Sequence, residues 1–267
     1  MRLLVLTIGV TSVVALSFDL AGTDTRTTPA GGRGDAHTRS AIPARRARAV
    51  SRTIGYSVEH RAVPIVVVGD PHAPHPVLVV GCIHGNETAG IAVAHRLAAG
   101  PAPRGTALWI IPDLNPDGVA AGTRQNAHGV DLNRNFPYRW KALYAKGDLQ
   151  YQGSRPLSEP ESRLVHRLIL RLKPRLSIWF HQPQGLIDLS GGNARIERRF
   201  ADLSRLPLRQ LTRYPGSAPT WQNHTFPDST AFVVELPPGR PSRDGVARYA
   251  GAVLRVASEA AAPTTAR

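Results

Sequence analysis

Apolar positions along this chain fall into short, nearly continuous runs separated by stretches of helical periodicity. The runs lie at Val63–Val68, Val77–Ile83, Ala107–Ile111, Leu176–Phe180 and Ala231–Val234. Most are β-branched and apolar at consecutive positions, the pattern of strands covered on both faces. Between them, apolar residues recur at helical spacing over Glu87–Ala99, Glu159–Leu172 and Gly245–Ala260. The second of these opens on Ser158-Glu159-Pro160-Glu161, which reads as a Ser cap, an early Pro and first-turn acids. Strands alternating with helices predict a three-layer α/β domain whose mixed or largely parallel sheet lies between helices. In such sheets, sites gather where strands end and loops begin.

This texture starts near Ser51 and continues to about residue 260. Ahead of it, residues 22–50 are rich in Thr, Gly, Ala, Pro and Arg and have few large apolar side chains, which predicts a disordered linker. Arg33-Gly34-Asp35 within it reads as a chance tripeptide. Residues 1–21 predict an export signal: Arg2, an apolar run from Leu3 to Leu16, and a small-x-small pattern at Ala15-Leu16-Ser17. Left uncleaved, the same segment would be an N-terminal anchor. Export implies a secreted or cell-wall location, and residues 261–267 read as a disordered tail.

Charge changes the picture in one respect. Residues 1–50 hold seven Arg and three Asp, so +10 of the formal net charge of +14 lies on residues 51–267, nearly all of it on the predicted domain. That field suits anionic polymers such as the bacterial wall, although an Arg-rich genome would give the same excess, with only Lys141, Lys146 and Lys173 as lysines. No stacking or groove-reading motif accompanies it, so a nucleic-acid partner is not expected. The lone cysteine, Cys82, excludes an internal disulfide and a Cys-based metal cluster, and its apolar setting predicts a buried small residue.

Chemistry concentrates at strand ends. The run Val77–Ile83 leads into His84-Gly85-Asn86-Glu87, placing an imidazole and a carboxylate three residues apart at a strand-to-helix junction. That pair suits Zn²⁺, and one more ligand would leave a position open for chemistry; taken alone, a surface His beside a helix-start Glu is the better reading. His181 follows the run Leu176–Phe180 at the same kind of edge and would complete the set. Glu235 ends the run Ala231–Val234 and, being a carboxylate at the tip of a buried strand, needs a partner; beside an activated water it can act as general base. Glu159 and Glu161 are rival acids, for which the helix dipole is account enough. The loop between reads Asn115-Pro116-Asp117-Gly118, a turn by composition, then Arg124, then Asp131-Leu132-Asn133-Arg134-Asn135. Paired Arg and Asn can clamp a carboxylate, a second Arg can stabilise developing negative charge, and Asp131 can orient a ligand imidazole.

The series His84-x-x-Glu87, Arg124, Asp131-x-Asn133-Arg134-Asn135, His181 and strand-terminal Glu235 resembles the zinc carboxypeptidase (M14) family, over about residues 53–240. The resemblance implies a mixed eight-stranded sheet between helices and one zinc ion per chain on His84, Glu87 and His181. It further implies that Asn133 and Arg134 hold a substrate carboxylate, that Arg124 polarises the carbonyl and that Glu235 is the base. Within the family the chain is most similar to bacterial murein peptide amidases, which cut between γ-D-glutamate and meso-diaminopimelate, through Ile54-Gly55-Tyr56-Ser57, Leu114–Gly118 and Pro156–Glu161. Digestive members carry a basic residue where this chain has Asn86. Tyr214 and His224 lie in Arg213–Phe226, the region of the family's tyrosine-bearing loop, but neither aligns with that tyrosine and both read as loop residues. Two alternatives accompany this reading: an N-acyl amino acid deacylase of the succinylglutamate or aspartate type, and a wall-binding relative without catalysis.

Overall fold

A computed structural model describes residues 49–261. The signal segment, nearly all of the predicted linker with its Arg-Gly-Asp, and residues 262–267 lie outside the described residues. The linker's last predicted residue, Val50, instead opens the first strand.

Eight strands form one mixed sheet. They are β1 (Val50–Tyr56), β2 (Ala62–Gly69), β3 (His75–Val80), β4 (Thr106–Ile111), β5 (Leu176–His181), β6 (Leu186–Asp188), β7 (Leu208–Arg209) and β8 (Thr230–Glu235). Their order across the sheet is β1-β2-β4-β3-β5-β8-β6-β7. The central strands β4, β3, β5 and β8 run parallel, while the pairs β1–β2, β2–β4 and β6–β8 are antiparallel and the edge strand β7 runs parallel to β6. Helices α1 (Ala89–Ala98), α4 (Ala194–Ser204) and α6 (Arg243–Ala261) cover one face; α3 (Pro160–Leu172) and α5 (Ala218–Thr225) cover the other, joined by the loop that includes α2 (Pro116–Ala121).

Two-sided cover explains the continuous apolar runs. In β3, Val77 and Val79 pack into the core beneath α1 and α6, while Leu78 and Val80 pack into the core beneath α3 and α5. Each such side chain, fully buried, contributes about 1.5–3 kcal/mol of hydrophobic stabilisation before entropy is charged against it. In α3 the buried positions Val165, Leu168 and Ile169 follow helical spacing, and arginines occupy the solvent side.

Four local expectations are corrected. The strand read as Val77–Ile83 is His75–Val80, because the chain leaves the sheet at Gly81 to carry Cys82 and Ile83 into the turn. Helix α1 starts at Ala89 and not at Glu87: the Ala89 N–H is capped by the Gln182 side chain, and Glu87 is held outside the helix. Asn115–Gly118 is a helix start and not a simple turn, since Asn115 Oδ1 accepts from Gly118 N and Pro116 sits at the first helical position. The N-cap position of α3 is held by Glu159 and not Ser158, with no side-chain cap bond, and the Ser158 hydroxyl donates to the Glu159 carboxylate. Glu159 and Glu161 do stand at the start of α3, as expected, and being buried they also share the Asn126 amide, at 2.8 and 3.0 Å.

Candidate active site

Parallel strands deliver the chemistry to one edge. Residues beyond β3 lead to His84, β5 ends on His181 and β8 ends on Glu235, with His181 and Glu235 side by side in register. The turn carrying His84 and Glu87 is locked by a close backbone approach: a Cβ on Gly85 would run into the backbone of Gly118, so only glycine lets the two motifs touch. Asn115 braces the same turn by donating to the carbonyls of Ile83 and Arg124.

His84 Nδ1, Glu87 Oε2 and His181 Nδ1 form a buried triangle. Each nitrogen lies 3.0 Å from the carboxylate oxygen, and the nitrogens lie 3.1 Å apart. Three lone-pair donors this close repel one another unless a cation sits among them. Bonds of about 2.1 Å in a tetrahedron put ligand atoms roughly 3.4 Å apart, so the spacing suits zinc after a few tenths of an ångström of relaxation. Asp131 fixes the tautomer: His84 Nε2 donates to Asp131 Oδ1 at 3.0 Å, which leaves the Nδ1 lone pair facing the triangle. Burial would raise the carboxylates of Glu87 and Asp131. The imidazoles beside Glu87, and His84 with Arg124 beside Asp131, hold both well below the ordinary range, so both stay anionic. Gln182 completes the support by donating its backbone N–H to Glu87 Oε2 at 3.1 Å.

Arg124 ties this corner together. Its Nε donates to Asp131 and its Nη1 to Glu87, each at 2.9 Å, and its remaining donors face the cleft. Cys82 is buried and donates to the His84 carbonyl; burial pushes its thiol up, which suits an inert packing residue.

The triangle opens into a cleft of about 550 Å³ that also contains Asn86, Asn133, Arg134, Tyr214 and Glu235. Arg134 is its most unusual member. It is 6% exposed, donates only to the Asn133 carbonyl, and forms no ion pair among the described residues. Its Nε has no partner, and burial lowers the guanidinium's pKa, the mark of a cation built to receive an anion. Asn133 Oδ1 accepts from Ala218 N at 2.9 Å, which aims its amide N–H groups away from that bond. Tyr214 packs over Arg134, 4.1 Å from guanidinium carbon to ring centroid. Tyr214 is a loop residue, as read, and lines this cleft; the loop reading of His224 is corrected, since it lies in α5, stacked on Tyr138 outside the cleft.

All eight residues singled out in the sequence thus come to one edge of the sheet: His84, Glu87, Arg124, Asp131, Asn133, Arg134, His181 and Glu235. Missed were Gln182, and a side wall formed by Asp188, Ser190, Leu211 and Arg213, which completes the cleft beside Val233 of β8. The Gln182 signal was its place directly after His181; Asp188 closes the three-residue strand β6, and Ser190, Leu211 and Arg213 lie in loops, none of them long enough to show a period.

The sequence model of the zinc carboxypeptidases matches residues 44–195. Among characterised proteins, murein peptide amidase A of Escherichia coli K12 is 31% identical over 157 residues, 54% of this chain and 64% of that protein, so the chain spans just under two thirds of that relative. The same-named protein of Vibrio campbellii is 32% identical over 175 residues, 60% of this chain and 69% of that one. The crystal structure of murein-tripeptide amidase MpaA from E. coli O157 superposes with a TM-score of 0.63 at 26% identity, covering 78% of this chain and 91% of that one. Bovine thrombin-activatable fibrinolysis inhibitor shares the fold at a TM-score of 0.70 and 19% identity, over 80% of this chain and 90% of that one. The mixed eight-stranded sheet between helices is the fold of these carboxypeptidase-like structures, and the chain belongs to the zinc carboxypeptidase family.

Proposed function

We propose that the protein is a zinc-dependent hydrolase of amide bonds next to a free carboxylate, and that its substrate is the γ-D-glutamyl–meso-diaminopimelate bond of murein peptides. The carrying observation is the buried, carboxylate-free guanidinium of Arg134 in the same cleft as the His84–Glu87–His181 triangle. A negatively charged group is the partner that such a site lacks, and a terminal carboxylate meets Arg134 and the Asn133 amide together. Similarity to two murein peptide amidases supports the choice of substrate. The apolar segment 3–16 supports an exported enzyme working at the wall.

His84, Glu87 and His181 hold the metal, and Asp131 keeps His84 in its ligating tautomer. Bound there, zinc supplies Lewis acidity, making water a competent nucleophile near neutral pH. Glu235 takes the proton from the attacking water on its carboxylate and passes it to the leaving nitrogen as the C–N bond breaks. Arg124 directs its free N–H donors at the carbonyl oxygen as negative charge develops there. Arg134 and Asn133 fix the terminal carboxylate, so the scissile carbonyl is presented in one orientation.

Purified, zinc-loaded protein should release diaminopimelate from L-Ala-γ-D-Glu-meso-diaminopimelate, followed by mass spectrometry. Release of terminal residues from ordinary peptides alone would discard the wall substrate, and silence on both would return the choice to the deacylase and non-catalytic readings.

A further inference from the structure

The cleft continues past Arg134 and Tyr214 along a wall that holds one charged pair. Asp188, at the end of β6, is buried and fully engaged. Its Oδ1 accepts from Leu211 N at 2.8 Å, and its Oδ2 accepts from Ser190 Oγ and from Arg213 Nη1, each at 2.8 Å. A carboxylate held by three donors cannot swing, so it fixes one corner of the Arg213 guanidinium. Arg213 itself is 30% exposed, and its other donors have no partner among the described residues. Asp188 offsets part of the charge, which weakens attraction for stray anions but leaves the directional N–H groups in place.

The position of this guanidinium is informative. Ser190, Arg213, Tyr214 and Thr220 border both the cleft and a neighbouring groove of about 690 Å³. The wall is therefore open at its far end, with Arg213 standing at the junction. One cleft thus presents three guanidiniums: Arg124, tied to Glu87 and Asp131 beside the His84–Glu87–His181 triangle and assigned to the carbonyl oxygen; Arg134, buried and without an ion pair among the described residues; and Arg213, held in place further along. A single terminal carboxylate needs only Arg134.

We infer that Arg213 is a specificity-determining residue that reads a second carboxylate, at the far end of the substrate's terminal side chain, with Asp188 as the positioning residue that aims it. This rests on the murein reading and deepens it. A C-terminal diaminopimelate carries one carboxylate beside the scissile bond and another at the end of its side chain, where lysine has only an ammonium. The planar fork of Arg213 offers the paired donors that a carboxylate accepts.

The test uses the zinc-loaded full chain, with meso-diaminopimelate and L-lysine as probes in titration calorimetry. Wild-type protein should bind diaminopimelate roughly 10–100-fold more tightly than lysine, the range of one charge-assisted contact. Arg213→Gln should bring that ratio close to one, Arg213→Lys should restore part of it, and Asp188→Asn should reduce it without abolishing it. Equal affinities in wild type, a ratio unchanged in Arg213→Gln, or no binding of either probe would overturn the assignment. Because the ratio is read without turnover, a preserved ratio with no tripeptide hydrolysis would refute the murein reaction and leave the carboxylate reader standing.

Discussion

The metal corner and the side wall of the same cleft are built in opposite ways. At the corner, the residues of the triangle and Asp131 are buried and braced by their neighbours: Asp131 alone accepts from His84, Arg124 and the Asn133 backbone. The wall rests on strands of two and three residues, and its charged head, Arg213, has a single anchor. Rigid support suits the corner, where a misplaced ligand would cost the reaction itself. A thinner frame suits the wall, which selects among side chains while the chemistry stays the same.

That contrast can be broken most severely at the corner. Glu235→Gln should lower turnover by roughly 10²–10⁴-fold, the range of a lost general base, while zinc content stays full. Normal turnover in that variant would move the base elsewhere. A smaller effect lies between the two regions. Arg134→Ala should weaken free-acid substrates by roughly 10–100-fold in kcat/KM and leave amidated ones nearly unaffected. Equal losses on both would mean that Arg134 serves structure and not recognition.

The mildest test sharpens the wall. Glu197, at the first turn of α4, accepts from Ser190 N at 3.1 Å, and burial pushes its pKa up to about 7. Its carboxyl therefore keeps its proton in the folded state over a pH range where the unfolded chain has lost it. The stabilisation is full below the ordinary glutamate range, near 4.3, and is lost as pH rises through about 7. Melting temperature should fall between pH 5 and 8 more steeply in wild type than in Glu197→Gln, and parallel curves would contradict the assigned shift.

The same contrast explains what could be read from the sequence. His84 and Glu87 stand three residues apart, and His181 and Glu235 each close an apolar run, so short-range pattern located all four. The central strands were legible because burial on both faces leaves continuous apolar runs. The strands β6 and β7 and the 3-10 turn Leu132–Arg134 are too short to carry a period. Tyr214 was illegible for another reason: its place over Arg134 depends on Gly216, whose positive φ and contact with the Arg134 backbone fold the loop back across the cleft. Ser158 and Glu159 show the remaining kind of miss, in which a side chain suited to capping is recruited by a tertiary partner, Asn135.

The central claim is that His84, Glu87 and His181 hold one zinc ion. Mass spectrometry under non-denaturing conditions, on wild type and His181→Ala at equal zinc with folding checked by circular dichroism, tests it most directly. The account predicts one zinc per chain in wild type and none in the folded variant; a folded wild type without zinc, or a variant with a full complement, would contradict it.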